Sequence, residues 1–207
     1  MYTLHYFGVY ARGEPIRMLL THAGVPFNDD RITMEGWGAV KHTMPNGQCP
    51  ALETPEGKVL SQSSAIVRYL GRKYGYYPTD LELAYEVDNL NELYQDVLPK
   101  LYTPVFAQGD DAKAAAIETC FKTLEPFLVH IESVLKDSGY LVGENLNTCD
   151  FWIGGLYTNL FKNQLRFTPE KWDALLAKFP KYAAYGERFS AANASWISSP
   201  ARGMAPC

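Results

Sequence analysis

The pattern of apolar and polar positions in the first third of the chain predicts a mixed α/β unit. Residues Tyr2–Phe7 alternate as a half-buried strand does. Glu14–Ala23 places apolar side chains at helical spacing, and Gly24 suits a left-handed residue that ends the helix. Phe27–Ile32 reads as a second strand. A strand, a helix and a strand within about 30 residues predict a parallel βαβ unit.

A hairpin and a second helix are predicted to follow. Ala51–Thr54 and Lys58–Leu60 flank a Pro-Glu-Gly segment, which is typical of a tight connection between two strands. Ser63 or Ser64 is predicted to cap a helix that runs to Lys73. The order βαβ followed by ββα is that of a thioredoxin-like fold.

The remainder of the chain has long stretches at helical period. One amphipathic helix is predicted to start near Asp80 and a second to cover Ala112–Leu135. Asn147 and Asp150 have the spacing of a capping box, in which each side chain binds the other's backbone at a helix start. Two prolines stand where a first helical turn can begin, Pro169 and Pro180.

The segment Tyr74–Thr79, which contains a glycine and a proline, reads as a linker between two domains. We therefore predict a thioredoxin-like domain over residues 1–76 and an all-α domain over residues 77–207. The first part carries a net charge of +2 and the second −6. The total of −4 argues against non-specific nucleic-acid binding. An aromatic content of 14% with 20% charged residues excludes disorder of the bulk of the chain.

Composition also bears on the compartment. Apolar runs are too short for a transmembrane helix, and the first residues lack the basic and apolar regions of a signal peptide. The cysteines at positions 49, 120, 149 and 207 have neither zinc-site nor CxxC spacing. We therefore expect no metal site, no membrane association and a cytoplasmic location.

Candidate chemistry begins at the end of the first strand. Redox proteins of thioredoxin-like fold carry a CxxC pair there, whereas this chain has Tyr6 and, six residues later, Arg12. A phenol can donate a hydrogen bond to an anion and a guanidinium adds positive field. The alternative is an ordinary core or rim tyrosine.

Two further segments suit an anionic peptide. A cis peptide bond between Cys49 and Pro50 would present the backbone of Cys49 to an extended ligand, whereas a trans bond would make this an ordinary loop. The serines at positions 61, 63 and 64 precede a helix, whose N-terminus is either an anion site or a plain cap.

These motifs together resemble the cytosolic glutathione S-transferases over essentially the whole chain. The resemblance rests on Tyr6-Phe7, Arg12-Gly13, Trp37 with Lys41, Gly47-Gln48-Cys49-Pro50, Gln62-Ser63, Asp96 and the Asn147-x-x-Asp150 box. A tyrosine at the end of the first strand is similar to the alpha, mu, pi and sigma classes. The short spacing between Trp37 and Lys41 is most like the sigma class, with pi close behind.

The resemblance implies that Tyr6 binds the sulfur of glutathione and stabilises its thiolate, with electrostatic help from Arg12. It also implies that Trp37, Lys41 and Gln48 hold the glycine end of the tripeptide.

By the same resemblance, the backbone of Cys49, followed by a cis Pro50, pairs with the cysteinyl part of glutathione. Gln62 and Ser63 would bind the γ-glutamyl end. Asp96 would reach the γ-glutamyl amine of glutathione in a neighbouring subunit, which requires a homodimer.

A hydrophobic electrophile would bind beside the sulfur. The candidates for its site are Phe7, Val9, Tyr102, Phe106 and Met204. Two positions depart from the family pattern. Asn46 replaces an aromatic residue that anchors the partner subunit in many members, so we expect a more polar or weaker dimer. Tyr10 replaces a basic residue, and either walls the electrophile site or shields its rim.

The leading hypothesis is an enzyme that transfers glutathione to small hydrophobic electrophiles. A narrower alternative is a glutathione-dependent isomerase of the prostaglandin D synthase type. A non-catalytic alternative is a carrier of hydrophobic ligands or a crystallin-like structural protein.

Overall fold

A four-stranded sheet forms the centre of the N-terminal part in this computed structural model, which describes residues 1–136 and 139–203. Its strands are β1 (Tyr2–Phe7), β2 (Phe27–Ile32), β3 (Ala51–Glu53) and β4 (Val59–Ser61), in the spatial order β2-β1-β3-β4. β1 pairs in parallel with β2, and β3 pairs antiparallel with both β1 and β4. The predicted parallel unit and hairpin are both present.

Helices α1 (Glu14–His22) and α3 (Ser63–Tyr74) pack against each other beside this sheet, and a short helix, α2 (Trp37–Val40), follows β2. Along β1 the even-numbered side chains are buried, as the alternating pattern predicts. Gly24 lies just past α1 with φ +65°, in agreement with the predicted left-handed ending.

The predicted cap of α3 is wrong by one or two residues. The helix begins at Ser63, so neither Ser63 nor Ser64 precedes it, and the residue in the capping position is Gln62, with φ +68° and ψ +108°. A non-glycine residue at positive φ costs about 1–3 kcal/mol and is more common at ligand sites than elsewhere. The N-terminus of α3 is therefore a place to look for a ligand.

The first compact unit contains Met1–Tyr77 and the C-terminal segment from Asn193. That segment includes the short helix α9 (Ala194–Ile197), which packs on α1, and a 3₁₀ turn at Pro200–Arg202. The sequence pattern assigns this segment to the helical part, because it carries no information on contacts with residues distant in the chain.

The regular secondary structure in the described residues of the second compact unit is all helical. Its helices are α4 (Leu81–Phe106), α5 (Asp110–Val134), α6 (Thr148–Leu156, continued by a π-helical turn at Tyr157–Phe161), α7 (Pro169–Leu176) and α8 (Pro180–Ala192). α4 and α5 form its most extensive helix pair. The predicted starts near Asp80, Pro169 and Pro180 are confirmed.

Helix α6 lies at the centre of this second unit, and every one of its residues is buried. The predicted capping box is present: the N–H of Asn147 donates to Oδ2 of Asp150 at 2.7 Å. The hydroxyl of Tyr185 donates to Oδ1 of the same carboxylate at 2.8 Å. The helix start is thus fixed by a fully buried acidic side chain.

The fold class is therefore the predicted one, a small thioredoxin-like α/β unit with an all-α unit. No helix among the described residues combines the length and apolar character that crossing a membrane requires.

Candidate active site

A cavity of about 470 Å³ lies in the first compact unit. It is lined by residues from the loop after β1, from α2 and the turns that follow it, and from the start of α3. The lining residues are Phe7, Arg12, Trp37, Lys41, Gly47, Gln48, Cys49, Pro50, Ser61, Gln62 and Ser63. Nine of them are candidates from the sequence, which the fold brings together although they span more than fifty positions.

The charged side chains of this lining are Arg12 and Lys41, both cationic, and the lining contains no carboxylate. A cavity with such a lining favours anions, because both of its charged side chains are cationic. An anionic peptide fits this electrostatic character.

Tyr6 lies next to the cavity and is not part of its lining surface. Its side chain is on the buried face of β1 and is 6% exposed, while its neighbour Phe7 lines the cavity. The backbone N–H of Arg12 donates a hydrogen bond to the Tyr6 hydroxyl at 3.2 Å. The hydroxyl oxygen is thus fixed at the backbone of a lining residue.

Gly13 makes this position possible. A Cβ atom added at Gly13 would lie 2.2 Å from Cδ1 of Tyr6, closer than side-chain carbons can approach. The Arg12-Gly13 pair therefore serves two purposes: one backbone N–H binds the phenol, and the absence of a side chain leaves room for its ring.

Burial raises the pKa of Tyr6 to about 12, against a smaller opposing effect of the hydrogen bond from Arg12. The phenol therefore stays protonated at neutral pH. Since its oxygen accepts the N–H of Arg12 and no acceptor for its own proton occurs among the described residues, Tyr6 can donate a hydrogen bond to a ligand atom.

The bond between Cys49 and Pro50 is cis, as expected. Cys49 is half-buried at the cavity wall, and burial raises the pKa of its thiol to about 11. A thiol with such a pKa is a poor nucleophile at neutral pH. The backbone of Cys49, rather than its sulfur, is therefore the part suited to binding a ligand.

The start of α3 forms another part of the wall. Gln62, held at positive φ, and Ser63 both line the cavity, and α3 is twelve residues long. The first N–H groups of a helix have no partner within it and carry partial positive charge. This end of the cavity suits a carboxylate.

An aromatic contact supports the part of the cavity wall formed by Phe7 and Trp37. The rings of Phe7 and Trp37 meet edge to face, with their centroids 5.5 Å apart. Trp37 begins the short helix α2, and Lys41 follows this helix in a 3₁₀ turn, so their spacing brings both side chains to the cavity.

Other predicted residues lie outside this cavity. Val9 is in the loop after β1, whereas Tyr102 and Phe106 belong to α4 of the second unit, where Phe106 is 66% exposed. Asp96 is exposed on α4. Met204 lies outside the described residues.

The side chain of Tyr10 is buried. It is 5% exposed, and its hydroxyl donates to the carbonyl oxygen of Gly203 at 3.0 Å. Asn46 is exposed and has φ +58°, a left-handed conformation that asparagine tolerates better than aromatic residues do.

Sequence reasoning missed a buried ion pair beside this site. Glu14 and Arg17, three residues apart on α1, are both at most 1% exposed, and Nη1 of Arg17 lies 3.4 Å from Oε2 of Glu14. The available signal was a pair of opposite charges at helical spacing within an otherwise apolar helix. Gly47 and Ser61, which also line the cavity, are adjacent to predicted residues.

Among residues 1–136 and 139–203, no group of three His, Cys, Asp or Glu side chains is arranged to hold a metal ion. The expectation that the chain uses no metal stays a prediction.

Two family models and several known proteins are similar to this chain. Residues 13–73 match the family model described as "Glutathione S-transferase, N-terminal domain", and residues 80–198 match the one described as "Glutathione S-transferase, C-terminal domain". The "Probable glutathione S-transferase 8" of Caenorhabditis elegans is 34% identical over 194 residues, covering 90% of this chain and 89% of the relative.

Two solved structures illustrate the range of similar proteins. A prostaglandin synthase D of Nilaparvata lugens has a TM-score of 0.81 at 28% identity, covering 96% of this chain and 98% of that one. A monomeric glutathione S-transferase of the hookworm Necator americanus has a TM-score of 0.82 at 28% identity, covering 95% and 96%. The two family models and the similarity to the nematode relative show that this chain belongs to the glutathione S-transferase family.

Proposed function

We propose that the chain is a glutathione transferase that joins the sulfur of glutathione to small hydrophobic electrophiles. The observation that carries this proposal is the Tyr6 hydroxyl, which is protonated, held by the N–H of Arg12 and left with a proton to donate. Such a hydroxyl is suited to stabilising a thiolate in the adjoining cationic cavity.

The stabilisation that a glutathione thiolate requires at neutral pH is small. A free thiol has a pKa of about 8.5, and lowering it by about 2 units corresponds to about 2.7 kcal/mol of differential stabilisation. A hydrogen bond to a charged group contributes about 1.5–3 kcal/mol, so one bond from Tyr6 is of the required size. Arg12, which lines the cavity, adds positive field.

The other cavity residues would bind the peptide. Glutathione is an extended tripeptide with a carboxylate at each end. Lys41, with Trp37 and Gln48, is assigned to the glycine carboxylate, and Gln62 with Ser63 to the γ-glutamyl end at the start of α3. The backbone of Cys49, next to the cis Pro50, is assigned to the cysteinyl part between them.

During conjugation the bound thiol releases its proton to solvent, and the sulfur then attacks the electrophilic carbon. A carbon–sulfur bond forms as the bond to the leaving group breaks. The protein supplies no nucleophile of its own. Phe7, Val9, Tyr102, Phe106 and Met204 remain the residues that we assign to the electrophile.

The sigma class, a homodimer in which Asp96 reaches the partner's glutathione, and a cytoplasmic location are parts of the same proposal. A second activity is supported by the similarity to a prostaglandin synthase D, which favours a glutathione-dependent isomerase. Such an enzyme would use the same thiolate and regenerate it at the end of the reaction.

The test is the Tyr6→Phe variant, which removes the hydroxyl and keeps the ring. With 1-chloro-2,4-dinitrobenzene as the electrophile, we expect turnover to fall at least about tenfold while glutathione affinity changes little. Ultraviolet titration of the bound thiol should show its pKa returning towards about 8.5.

Tyr2→Phe is the matched control, because Tyr2 is also a buried tyrosine on β1 and does not line the cavity. An equal loss of affinity and turnover in Tyr6→Phe would contradict the thiolate role. A wild-type protein with an ordinary bound-thiol pKa and no turnover would indicate the non-catalytic carrier instead.

A further inference from the structure

A buried cluster of charges holds the loop between β1 and α1, which we define as Gly8–Gly13. Arg17, 1% exposed, donates through Nη2 to the carbonyl of Phe7 at 3.0 Å and through Nη1 to that of Val9 at 2.8 Å. Its Nε also pairs with Asp29 at 2.9 Å. One guanidinium therefore fixes the backbone on which the loop begins.

The C-terminal segment completes this cluster. Oε1 of Glu14, the buried partner of Arg17, accepts a hydrogen bond from the indole Nε1 of Trp196 at 2.9 Å. The same oxygen accepts a second bond from Nε of Arg202 at 2.8 Å. These two donors lie 182 and 188 positions from Glu14 along the chain. The buried carboxylate thus depends on them for much of its compensation.

The same segment also contacts the loop directly. The guanidinium carbon of Arg202 lies 4.3 Å from the centre of the Tyr10 ring, a cation–π contact. The hydroxyl of Tyr10 donates to the carbonyl of Gly203. Nη2 of Arg31 in turn donates to the carbonyls of Ala201 and Arg202, at 2.5 and 3.0 Å.

We propose that the segment Asn193–Gly203 is a clasp that positions the loop, and that Arg202 is its principal positioning residue. The loop contains Arg12, whose N–H fixes the Tyr6 hydroxyl, so the clasp acts on the hydroxyl through Glu14, Tyr10 and the loop backbone. The expected effect of the clasp on catalysis rests on the proposed function, whereas its expected effect on the order of the loop does not.

A clasp of this kind predicts a specific defect when it is opened. The cavity residues from α2 and α3 stay in place, so glutathione still binds, but the hydroxyl is no longer held at one position. Misplacement of a reacting group by about 1 Å can cost up to about a hundredfold in rate. A contact that merely stabilised the fold would leave the acidity of the bound thiol unchanged.

The test compares Arg202→Ala with Arg202→Lys in the full-length chain. For Arg202→Ala we expect amide exchange in residues 8–13 to accelerate about tenfold, measured by hydrogen–deuterium exchange and mass spectrometry. We also expect kcat to fall about fivefold with the KM for glutathione within about twofold, and the bound-thiol pKa to rise. The lysine variant should restore much of the wild-type exchange rate, kcat and thiol pKa, because it keeps a cation near Glu14.

Two further variants complete the design. Lys171→Ala removes an exposed cation from α7 and serves as the matched control. Tyr10→Phe removes only the hydrogen bond to Gly203 and replaces Arg202→Ala if that variant does not fold; we expect the same changes in smaller degree.

Unchanged exchange in the loop and unchanged thiol acidity in the folded variant would overturn the clasp. If the wild-type protein itself failed to acidify bound glutathione, the proposed function would fail, while the exchange measurement would still decide whether the clasp orders the loop.

Discussion

At the scale of single residues, position 13 decides where the phenol of Tyr6 can lie. A methyl group there would overlap the Tyr6 ring, with its carbon 2.2 Å from Cδ1, although the backbone of Gly13 itself has ordinary helical angles. We predict that Gly13→Ala displaces the ring, lowers turnover at least about tenfold and reduces the free energy of unfolding by about 1–3 kcal/mol. Steady-state kinetics and urea unfolding measure the two effects.

Gly38→Ala is the corresponding control, because nothing lies within 4 Å of the added carbon. It should keep full activity and equal or higher stability. A fully active Gly13→Ala protein would show that the Tyr6 ring does not need its observed place.

The residues of the candidate site could be predicted largely because each belongs to a short local motif. Tyr6, Arg12 and the Gly47–Pro50 segment stand at strand ends and turns, where the chain pattern itself is informative. The bonds that Glu14 accepts from Trp196 and Arg202 gave no comparable signal, since these donors lie nearly the whole chain length away. Long-range side-chain contacts have no periodicity that a single sequence reveals.

At the scale of elements, the start of α6 couples stability to pH. Burial raises the pKa of Asp150 to about 6, well above its ordinary value of 3.8. Since the folded state binds this proton more tightly than the unfolded state, the contribution to stability is complete below about pH 4 and is lost as the pH rises through 6.

We therefore predict that the Asp150 carboxyl contributes up to about 3 kcal/mol less to the free energy of unfolding at pH 7 than at pH 4. The difference in unfolding free energy between wild type and Asp150→Asn, measured by denaturant titration across this range, isolates the contribution. Asp111→Asn, at the exposed start of α5, is the control and should follow the wild-type curve. Parallel curves for wild type and Asp150→Asn would refute the prediction.

Element types and most boundaries followed from periodicity and capping signals, as at Asn147, Pro169 and Pro180. The cap of α3 did not, because positive φ at Gln62 has no compositional signal when the residue is not glycine. The four-residue helix Trp37–Val40 was also not predicted, since it is too short to show a period.

At the scale of the whole molecule, Asn46 bears on whether two chains form a stable dimer. Asn46 is exposed, has a left-handed backbone conformation, and occupies the position at which many family members carry an aromatic anchor. Such an anchor contributes about 1.5–3 kcal/mol to dimer association. Each anchor that is lost weakens a dimer roughly 10- to 150-fold in Kd. We predict a homodimer that dissociates within the micromolar range, observed by size exclusion with light scattering on serial dilution.

The Asp96→Ala variant tests whether the dimer contributes to the glutathione site. In a dimer it should weaken glutathione binding without changing the molecular mass, whereas a chain that is monomeric at all concentrations should bind glutathione equally well with or without the Asp96 carboxylate.

The protonated thiol of Cys49 affects how the protein withstands alkylating compounds. Burial raises the pKa of this thiol to about 11, so it is almost entirely protonated at pH 7. Under the proposed function, an alkylating compound that enters the cavity meets the activated sulfur of the bound peptide and the far less reactive sulfur of Cys49 in the wall. We therefore expect the electrophiles that the protein is proposed to consume to leave Cys49 unmodified.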